Sequence, residues 1–291
     1  MSATALTIAG SDSGGGAGIQ ADLKTFSALG VYGCSVITAL TAQNTLGVQG
    51  VLDVSPNFIK QQLTSVFSDL TIHAVKIGML SQSSIIETVS NTLKEYSIPF
   101  IVVDPVMVAT SGDILLQNDA INTLKTELIP QADMITPNLP EAAVLLNCKI
   151  PHTVGDMLKM MDPLITLGAR TVLLKGGHLE GHEMVDLFYD GKTLHRFNKP
   201  KINTPNTHGT GCTLSSAVAA LIATGKSLQC AVEEGLTYVA EAIACASQLH
   251  IGHGHGPVHH FYRQDKNVTY PIKSVHHSGL LNTEKDRTPA H

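Results

Sequence analysis

The sequence predicts an α/β protein whose mostly parallel sheet is covered by helices on both faces. Short apolar strands alternate with helical stretches along most of the chain, the signature of repeated strand–helix crossovers. Polar and glycine residues gather just past five strand ends, at Gly10-Ser-Asp12, Gly78-Met-Leu80, Asp104-Pro105, Thr136-Pro-Asn-Leu-Pro-Glu141 and Lys175-Gly-Gly177. Core packing alone does not place such residues at one end of a sheet, whereas ligands of open α/β sheets bind there. The 291 residues supply ample chain for a buried core.

The elements follow in order. Ala5–Ile8 reads as a strand that runs into Ala-Gly-Ser-Asp. Ile19 to Leu29 reads as a helix, with Ile19, Leu23, Phe26 and Leu29 on one face and Gly30 as its stop. Cys34–Leu40 has the pattern of a buried strand. Ser55 and Pro56 are an N-cap and a first-turn proline, and Phe58, Ile59, Leu63, Val66, Phe67 and Leu70 then keep helical spacing. Ala74–Ile77 is a strand, Ser83 to Tyr96 a helix, and Phe100–Asp104 a strand stopped by Pro105. Asp133–Thr136 is a strand, Leu139 to Leu146 a short helix, and Val154 to Leu167 a helix in spite of Pro163. Thr171–Lys175 is a strand. Glu183–Asp190 and Lys192–Asn198 form a hairpin about Asp190-Gly191. Two apolar helices follow, Cys212 to Ala223 and Ser227 to Leu249. After about His253 the pattern fades into a polar, His-rich tail.

Composition excludes several classes. A net charge of −5 with no long run of one sign lacks the basic footprint of a nucleic-acid binder. No apolar run approaches the roughly 18 residues of a membrane span, and the start, Met-Ser-Ala-Thr-Ala-Leu-Thr-Ile, has no basic region of the kind that opens a signal peptide. The five cysteines are scattered and never spaced Cys-x-x-Cys, which argues against a disulfide framework or structural zinc and fits a reducing cytoplasm.

Ser11-Asp-Ser-Gly-Gly-Gly-Ala-Gly18 lies between a strand and a helix and contains a loose dinucleotide fingerprint. The acid expected about 20 residues on is missing, because the next strand ends Thr38-Ala-Leu-Thr-Ala42. The loop is therefore read as wrapping a small substrate. No P-loop or protein-kinase signature occurs. His208-Gly-Thr-Gly-Cys-Thr213 opens an apolar helix, where unsatisfied N–H groups and the macrodipole suit an anion. A plain glycine turn with Thr213 or Ser215 as the cap is the competing reading. For Cys212 the residues alone leave open a nucleophile, a metal ligand, a redox thiol, a proton acceptor or packing. Asp104 and Glu141 are candidates for Mg²⁺ held through waters, and Lys175 for a phosphate. His250-Ile-Gly-His-Gly-His-Gly-Pro-Val-His-His260 tempts a metal reading on composition only.

Taken together, Gly10 to Asp22, Thr41-Ala-Gln-Asn44, Lys76-Ile-Gly-Met-Leu80, Asp104-Pro-Val-Met107, Pro137-Asn-Leu-Pro-Glu141, Leu174-Lys-Gly-Gly-His178 and His208 to Thr213 resemble the hydroxymethylpyrimidine/phosphomethylpyrimidine kinases of thiamine biosynthesis, in the ribokinase-like superfamily. The resemblance runs in order from about residue 3 to about 262, which implies a kinase domain over 1–262 and a polar tail over 263–291. It implies a three-layer α/β/α fold, a cytoplasmic homodimer, and ATP- and Mg²⁺-dependent phosphorylation of 4-amino-5-hydroxymethyl-2-methylpyrimidine and then of its monophosphate. By position, it implies that Gln43 bonds the aminopyrimidine edge, with Gly10, Ala17, Met79 and Val106 around the ring and Asp22 near the same pocket. It assigns Asp104 and Glu141 to Mg²⁺, and Asn138, Lys175 and Thr210 to the nucleotide. Gly209, Gly211 and Cys212 would form the anion hole. Most ribokinase-like enzymes carry an aspartate base where this chain has Cys212; a helix N-terminus should depress the thiol pKa and make the thiolate a proton acceptor. Pyridoxal or pyridoxine kinases share this fold and are the nearest rival reading.

Overall fold

Strand β1 (Thr4–Asp12) is the hub of the sheet, pairing in parallel with β2 (Tyr32–Asn44) on one side. The structure, a computed structural model, describes residues 2–107, 115–177, 179, 183–265 and 276–281. Beyond β2 lies the antiparallel β3 (Gly47–Asp53). On its other side β1 pairs with β4 (Ala74–Ile77), and the parallel run continues through β5 (Ile101–Val103), β6 (Met134–Ile135) and β7 (Thr171–Leu174). The antiparallel hairpin β8 (Glu183–Tyr189) and β9 (Leu194–Pro200) follows, with β10 (His276–Leu281) beside β9. The order across the sheet is β10-β9-β8-β7-β6-β5-β4-β1-β2-β3.

The α-helices among the described residues are α1 (Gly18–Ala28), α2 (Pro56–Asp69), α3 (Ser83–Leu93), α4 (Asn118–Thr123), α5 (Leu139–Leu146), α6 (Val154–Ile165), α7 (Thr210–Ala223) and α8 (Leu228–Cys245). Side chains alternate across each strand, and this sorts the core into two layers. Leu6, Ile8, Val75, Ile77, Ile101, Val103, Ile135, Val172 and Leu174 face α2 to α6. Ala5, Ala74, Val102, Met134 and Leu173 face α1, α7 and α8. Within the second layer α7 is rich in small residues: Ala217, Ala219, Ala220 and Ala223 are buried, and a Cβ on Gly235 of α8 would stand 3.3 Å from Val218 Cγ2. Two helices can then lie close to each other and to the sheet. The three-layer α/β/α expectation holds.

Several elements differ from the expectation. Cys34–Leu40 extends to Tyr32–Asn44 and is only half covered, because a single edge strand lies beyond it. That strand, Gly47-Val-Gln-Gly-Val-Leu-Asp53, was not expected; its two glycines break the strand pattern. Residues 118–131 fold as α4, a π turn and a 3₁₀ turn, a polar stretch with no clear helical period. The predicted helices over 83–96 and 227–249 end at Leu93 and Cys245. Residues 276–281 of the expected tail pair with β9. His178 lies outside the described residues.

One charge pair is fully buried between the layers. Lys76 Nζ of β4 meets Asp22 of α1 at 2.8 Å, and neither side chain has solvent exposure. Thr7 of β1 donates to the same carboxylate at 2.6 Å, and Ser216 of α7 donates to its other oxygen. Burial would lower the Lys76 pKa, but the Asp22 carboxylate, with Cys212 and Asp104 nearby, outweighs it and holds the lysine charged. Removing one partner of such a pair strands the other. Asp22→Ala should therefore lose about 3–5 kcal/mol in chemical denaturation, while the paired change Asp22→Leu with Lys76→Met should lose clearly less. Equal losses in the single and paired variants would show that shape, not stranded charge, sets the cost.

Candidate active site

The carboxyl ends of β1, β4, β5, β6 and β7 open into one cavity of about 630 Å³. Its first wall is the glycine loop after β1. Asp12 organises that loop: its carboxylate accepts N–H bonds from Gly14 (2.8 Å), Gly16 (3.0 Å) and Ala17 (2.9 Å), and sits 2.9 Å from His208 Nε2. Burial would raise the Asp12 pKa, but the bonds from His208 and the loop amides outweigh it and lower it. The loop then meets the start of α7 at very close range. Gly209 has φ +79°, and a Cβ there would run into the carbonyl oxygen of Gly16. Only glycine fits both the conformation and the space.

Gly209 is the N-cap of α7, and no side chain caps it. The Thr213 hydroxyl donates to the Gly209 carbonyl at 2.8 Å, and the Ser215 hydroxyl faces the Gly211 carbonyl at 3.0 Å, so the competing capping reading fails. Thr210 turns both its N–H (3.2 Å) and its hydroxyl (2.7 Å) onto the Thr207 carbonyl. The N–H groups of Gly211 and Cys212 have no protein partner among the described residues. They stand at the positive end of the helix, which suits a phosphate.

Facing them is a charge cluster. Lys175 Nζ lies 2.8 Å from Asp104 Oδ1, which Thr136 Oγ1 also reaches at 2.9 Å, while Ser215 Oγ is 3.3 Å from Oδ2. A Cβ on Gly211 would stand 3.2 Å from Lys175 Nζ, so the helix start and the lysine are neighbours. For Asp104, burial raises the pKa, but Lys175 and Lys76 overcome it; for Lys175, burial lowers it, but Asp104 and Glu141 overcome that. Glu141 is different. Burial pushes it up to about 7, with Asp104 adding to the rise, against Lys175 and the N–H groups of Asn138 and Met107. Asn138 and Glu141 form a capping box at α5, each side chain bonded to the other's backbone N–H at 2.8 Å.

Gln43 is aimed by a register shift between Ala42 and Gln43 in the β2–β3 ladder, a bulge that turns its side chain into the cavity. Gly10, Ala17, Met79 and Val106 line the same end, and Met79 Sδ would be 3.1 Å from a Cβ on Gly10. Asp22 does not join them. It is wholly buried, and its oxygens are taken by Lys76, Thr7 and Ser216, so it supports the floor from beneath. The Cys212 expectation also needs correction. Its side chain lines the cavity, but burial pushes the thiol up to about 11; Asp22 and Asp104 add to the rise, and Lys76 and the Gly18 N–H only partly offset it. The helix N-terminus loses to desolvation, and the free site holds a thiol.

Sequence reasoning gave no individual role to Asp12, His208 or Lys76, and it missed the whole far wall. That wall is Ile202, Leu214, Val239, Ala240 and Ile243, bordered by the Lys199–Asp186 pair at 2.8 Å. Asp12 carried a signal, an acid leading a glycine loop. The apolar wall carried none, since those residues read as ordinary core. In the His-rich stretch the N–H groups of His253 and Gly254 reach Thr45 Oγ1 at 3.2 Å, that of His255 reaches the Thr45 carbonyl at 2.9 Å, and the ring of His260 lies 3.1 Å from Thr213 Oγ1.

The family model for phosphomethylpyrimidine kinase matches residues 12–259. The hydroxymethylpyrimidine/phosphomethylpyrimidine kinase of Rhizobium meliloti (strain 1021) is 55% identical over 263 residues, covering 90% of this chain and 98% of that one. The Escherichia coli (strain K12) enzyme of the same description is 52% identical over 258 residues, covering 89% and 97%. Among solved structures, phosphomethylpyrimidine kinase from Clostridium difficile 630 superposes with a TM-score of 0.74 at 47% identity, covering 82% of this chain and 99% of that one. Bacillus subtilis pyridoxal kinase in its ADP complex gives 0.83 at 38% identity, covering 89% and 98%.

Glu141 makes a pH prediction. Its folded pKa lies above the ordinary value of 4.5, so the fold favours the protonated acid. That contribution is complete below about 4.5 and is lost as pH rises through about 7. Glu141→Gln keeps the capping geometry without the charge. It should stabilise the free protein at pH 8 relative to pH 5, by on the order of 3 kcal/mol at most. Denaturation curves at the two pH values check this; an equal effect at both would mean that Glu141 titrates normally.

Proposed function

The chain belongs to the phosphomethylpyrimidine kinase family, and from this premise we infer that the cavity transfers the γ-phosphoryl group of ATP to the hydroxyl of 4-amino-5-hydroxymethyl-2-methylpyrimidine, then to the monophosphate. It is a phosphotransferase of thiamine biosynthesis. One observation carries the assignment of parts. The Gly211 and Cys212 N–H groups and Lys175 meet midway along a cavity with Gln43 at one end and an apolar wall at the other. The pyrimidine belongs at the Gln43 end, since a primary amide donates and accepts side by side, as an aminopyrimidine edge requires. The adenine belongs against Ile202, Val239 and Ile243. The transferring group then lies between Lys175 and the start of α7, where fixed donors stabilise its charge.

Mg²⁺ fits this site by its donor chemistry. Two hard carboxylates, Asp104 and Glu141, flank the lysine, and no group of three metal-binding side chains occurs among the described residues. That suits an ion held by one or two carboxylates, waters and nucleotide phosphates. Bound there, it would neutralise phosphate charge. Asn138, which caps α5 beside Glu141, borders the same phosphates. Thr210 contributes position, since Thr207 takes its hydroxyl. We also assign a homodimer in the cytoplasm: Leu46, Val51, Leu52 and Phe58 are exposed beside the β2–β3 edge, and the five cysteines are free. No helix is long and apolar enough to cross a membrane among the described residues.

Phosphorylation of pyridoxal is the second reading, favoured by the fit to the Bacillus subtilis pyridoxal kinase structure. Purified chain with ATP and Mg²⁺, offered the pyrimidine alcohol and pyridoxal separately and followed by product mass, decides between one activity, the other or both. No phosphorylated pyrimidine would overturn the main reading.

Two variants test the chemistry. Lys175→Ala should cut turnover at least a hundredfold for both phosphorylations while the fold persists. Near-normal turnover in the folded variant would remove Lys175 from the mechanism. Cys212 separates the steps. The alcohol must lose a proton to become the phosphate ester, whereas the monophosphate enters already largely ionised. With the thiol at about 11, the thiolate that accepts this proton is a minor form at neutral pH. The ratio of alcohol to monophosphate phosphorylation rates should therefore keep rising from pH 7 to 10, and Cys212→Ala should flatten it. Glu141 drops out of this ratio because it serves both steps. A flat ratio in the wild type would leave Cys212 as a wall of the anion hole.

A further inference from the structure

Gln43 sits among neighbours whose hydrogens allow its amide only one orientation. On one side, Thr41 Oγ1 lies 3.0 Å from the amide and 2.9 Å from the Ser11 carbonyl. A hydroxyl has one hydrogen, and a carbonyl can only accept. With that hydrogen on Ser11, Thr41 must accept from Gln43, so the amide N–H₂ faces Thr41. On the other side, His208 Nε2 lies 2.9 Å from Asp12 Oδ2 and 3.4 Å from the Gln43 amide. An ionised carboxylate accepts only, so Nε2 carries the hydrogen. The amide must then turn its oxygen toward His208, because N–H₂ against that N–H would set donor against donor. Two independent constraints agree on Oε1 toward His208 and Nε2 toward Thr41, an exchange of the two amide atoms from their placement in the structure, where Oε1 lies 3.0 Å from Thr41 Oγ1 and Nε2 lies 3.4 Å from His208 Nε2. Amide oxygen and nitrogen are assigned by such networks.

The frame around this amide is held on every side. The Gln43 backbone N–H donates to Ser13 Oγ at 2.8 Å, and Ser13 Oγ donates to the Gln43 carbonyl at 2.9 Å. The His208 N–H donates to the Gly256 carbonyl at 3.0 Å, and Gly16 lies flush against the imidazole, where a Cβ would strike Cδ2. Thr45, two residues after Gln43, is gripped by the backbone of His253 to His255. The glycine–histidine stretch thus fixes both flanks of Gln43.

We propose that Asp12 and His208 are a positioning pair for Gln43: they set the direction of its amide, so that the cavity offers one acceptor and one donor in a fixed order. That order matches a ring with an amino group beside a ring nitrogen. Pyridoxal has no such edge, since its ring nitrogen is flanked by a methyl-bearing carbon and a C–H. The inference rests on the aminopyrimidine reading above. Neither residue touches the reacting atoms; both act through Gln43.

The experiment uses 4-amino-2,5-dimethylpyrimidine, which has the ring edge but no hydroxyl, titrated by calorimetry into the intact chain and its variants. His208→Leu should weaken binding roughly tenfold, since the amide is then free to turn its donor and acceptor the wrong way round. His208→Gln, whose amide N–H replaces the ring N–H, should recover most of it. His208→Leu should add nothing in a Gln43→Leu background. In turnover, His208→Leu should raise the pyrimidine KM roughly tenfold, with a smaller loss in kcat and a smaller rise in the pyridoxal KM. Should His208→Leu fail to fold, the near-isosteric Thr41→Val attacks the same lock from the other side and should weaken binding similarly. Unchanged affinity in these variants, or a His208 loss that adds fully to the Gln43 loss, overturns the positioning role alone. A wild-type chain that does not bind the aminopyrimidine overturns the substrate reading and the lock with it.

Discussion

Everything at the cavity floor depends on one buried charge pair. Lys76 and Asp22 have no solvent exposure, and four elements converge on them: β4 through the lysine, α1 through the aspartate, β1 through Thr7 and α7 through Ser216. Such a pair gains little over an apolar core of the same shape, because desolvation offsets most of the attraction. Its value is geometric and electrostatic. It ties the helix that follows the glycine loop to the helix that carries Cys212, and it keeps a positive charge directly beneath the site. That charge pulls the Cys212 thiol downward, and it also helps hold Asp104 ionised.

Above this floor the two glycine loops meet with no room for side chains. Gly209 needs both a left-handed backbone and empty space against the Gly16 carbonyl. This approach brings the uncapped start of α7 to the mouth of the first loop and sets His208 against Asp12. Positive and negative groups then alternate across the cavity: the α7 start, Asp104, Lys175 and Glu141. An anion placed among them meets fixed donors with little reorganisation. The cysteine is the weak acid of this set. Its burial outweighs its helix terminus, which makes it a reluctant base and suits a reaction whose transition state needs little proton removal before the phosphoryl group moves.

The layered α/β fold was legible because strand and helix periods differ and because each strand ended in a recognisable stop. The position of the site was legible because polar residues crowded those ends. Asp104, Lys175, Gln43 and the start of α7, far apart in the chain, line one cavity. The edge strand Gly47–Asp53 was not legible, since two glycines hide its alternation, nor was the helical stretch over 118–131, which lacks a period. Val239 and Ile243 were indistinguishable from core, because a residue that lines a cavity and one that fills a core have the same chemistry.

By itself the sequence determined the order of elements, the carboxyl-end location of the chemistry and the types of group available there, since these follow from local period and from residue identity. Tertiary structure alone decided what each group became. Asp22 was removed from the pocket because Lys76, 54 residues away, took its charge. Cys212 was pushed up to about 11 because packed neighbours stripped its solvent. Glu141 was pushed up to about 7 by burial beside Asp104. Gln43 acquired a direction because His208, 165 residues on, faces it. In each case desolvation and long-range contact set the outcome, and neither is a property of any stretch of chain alone.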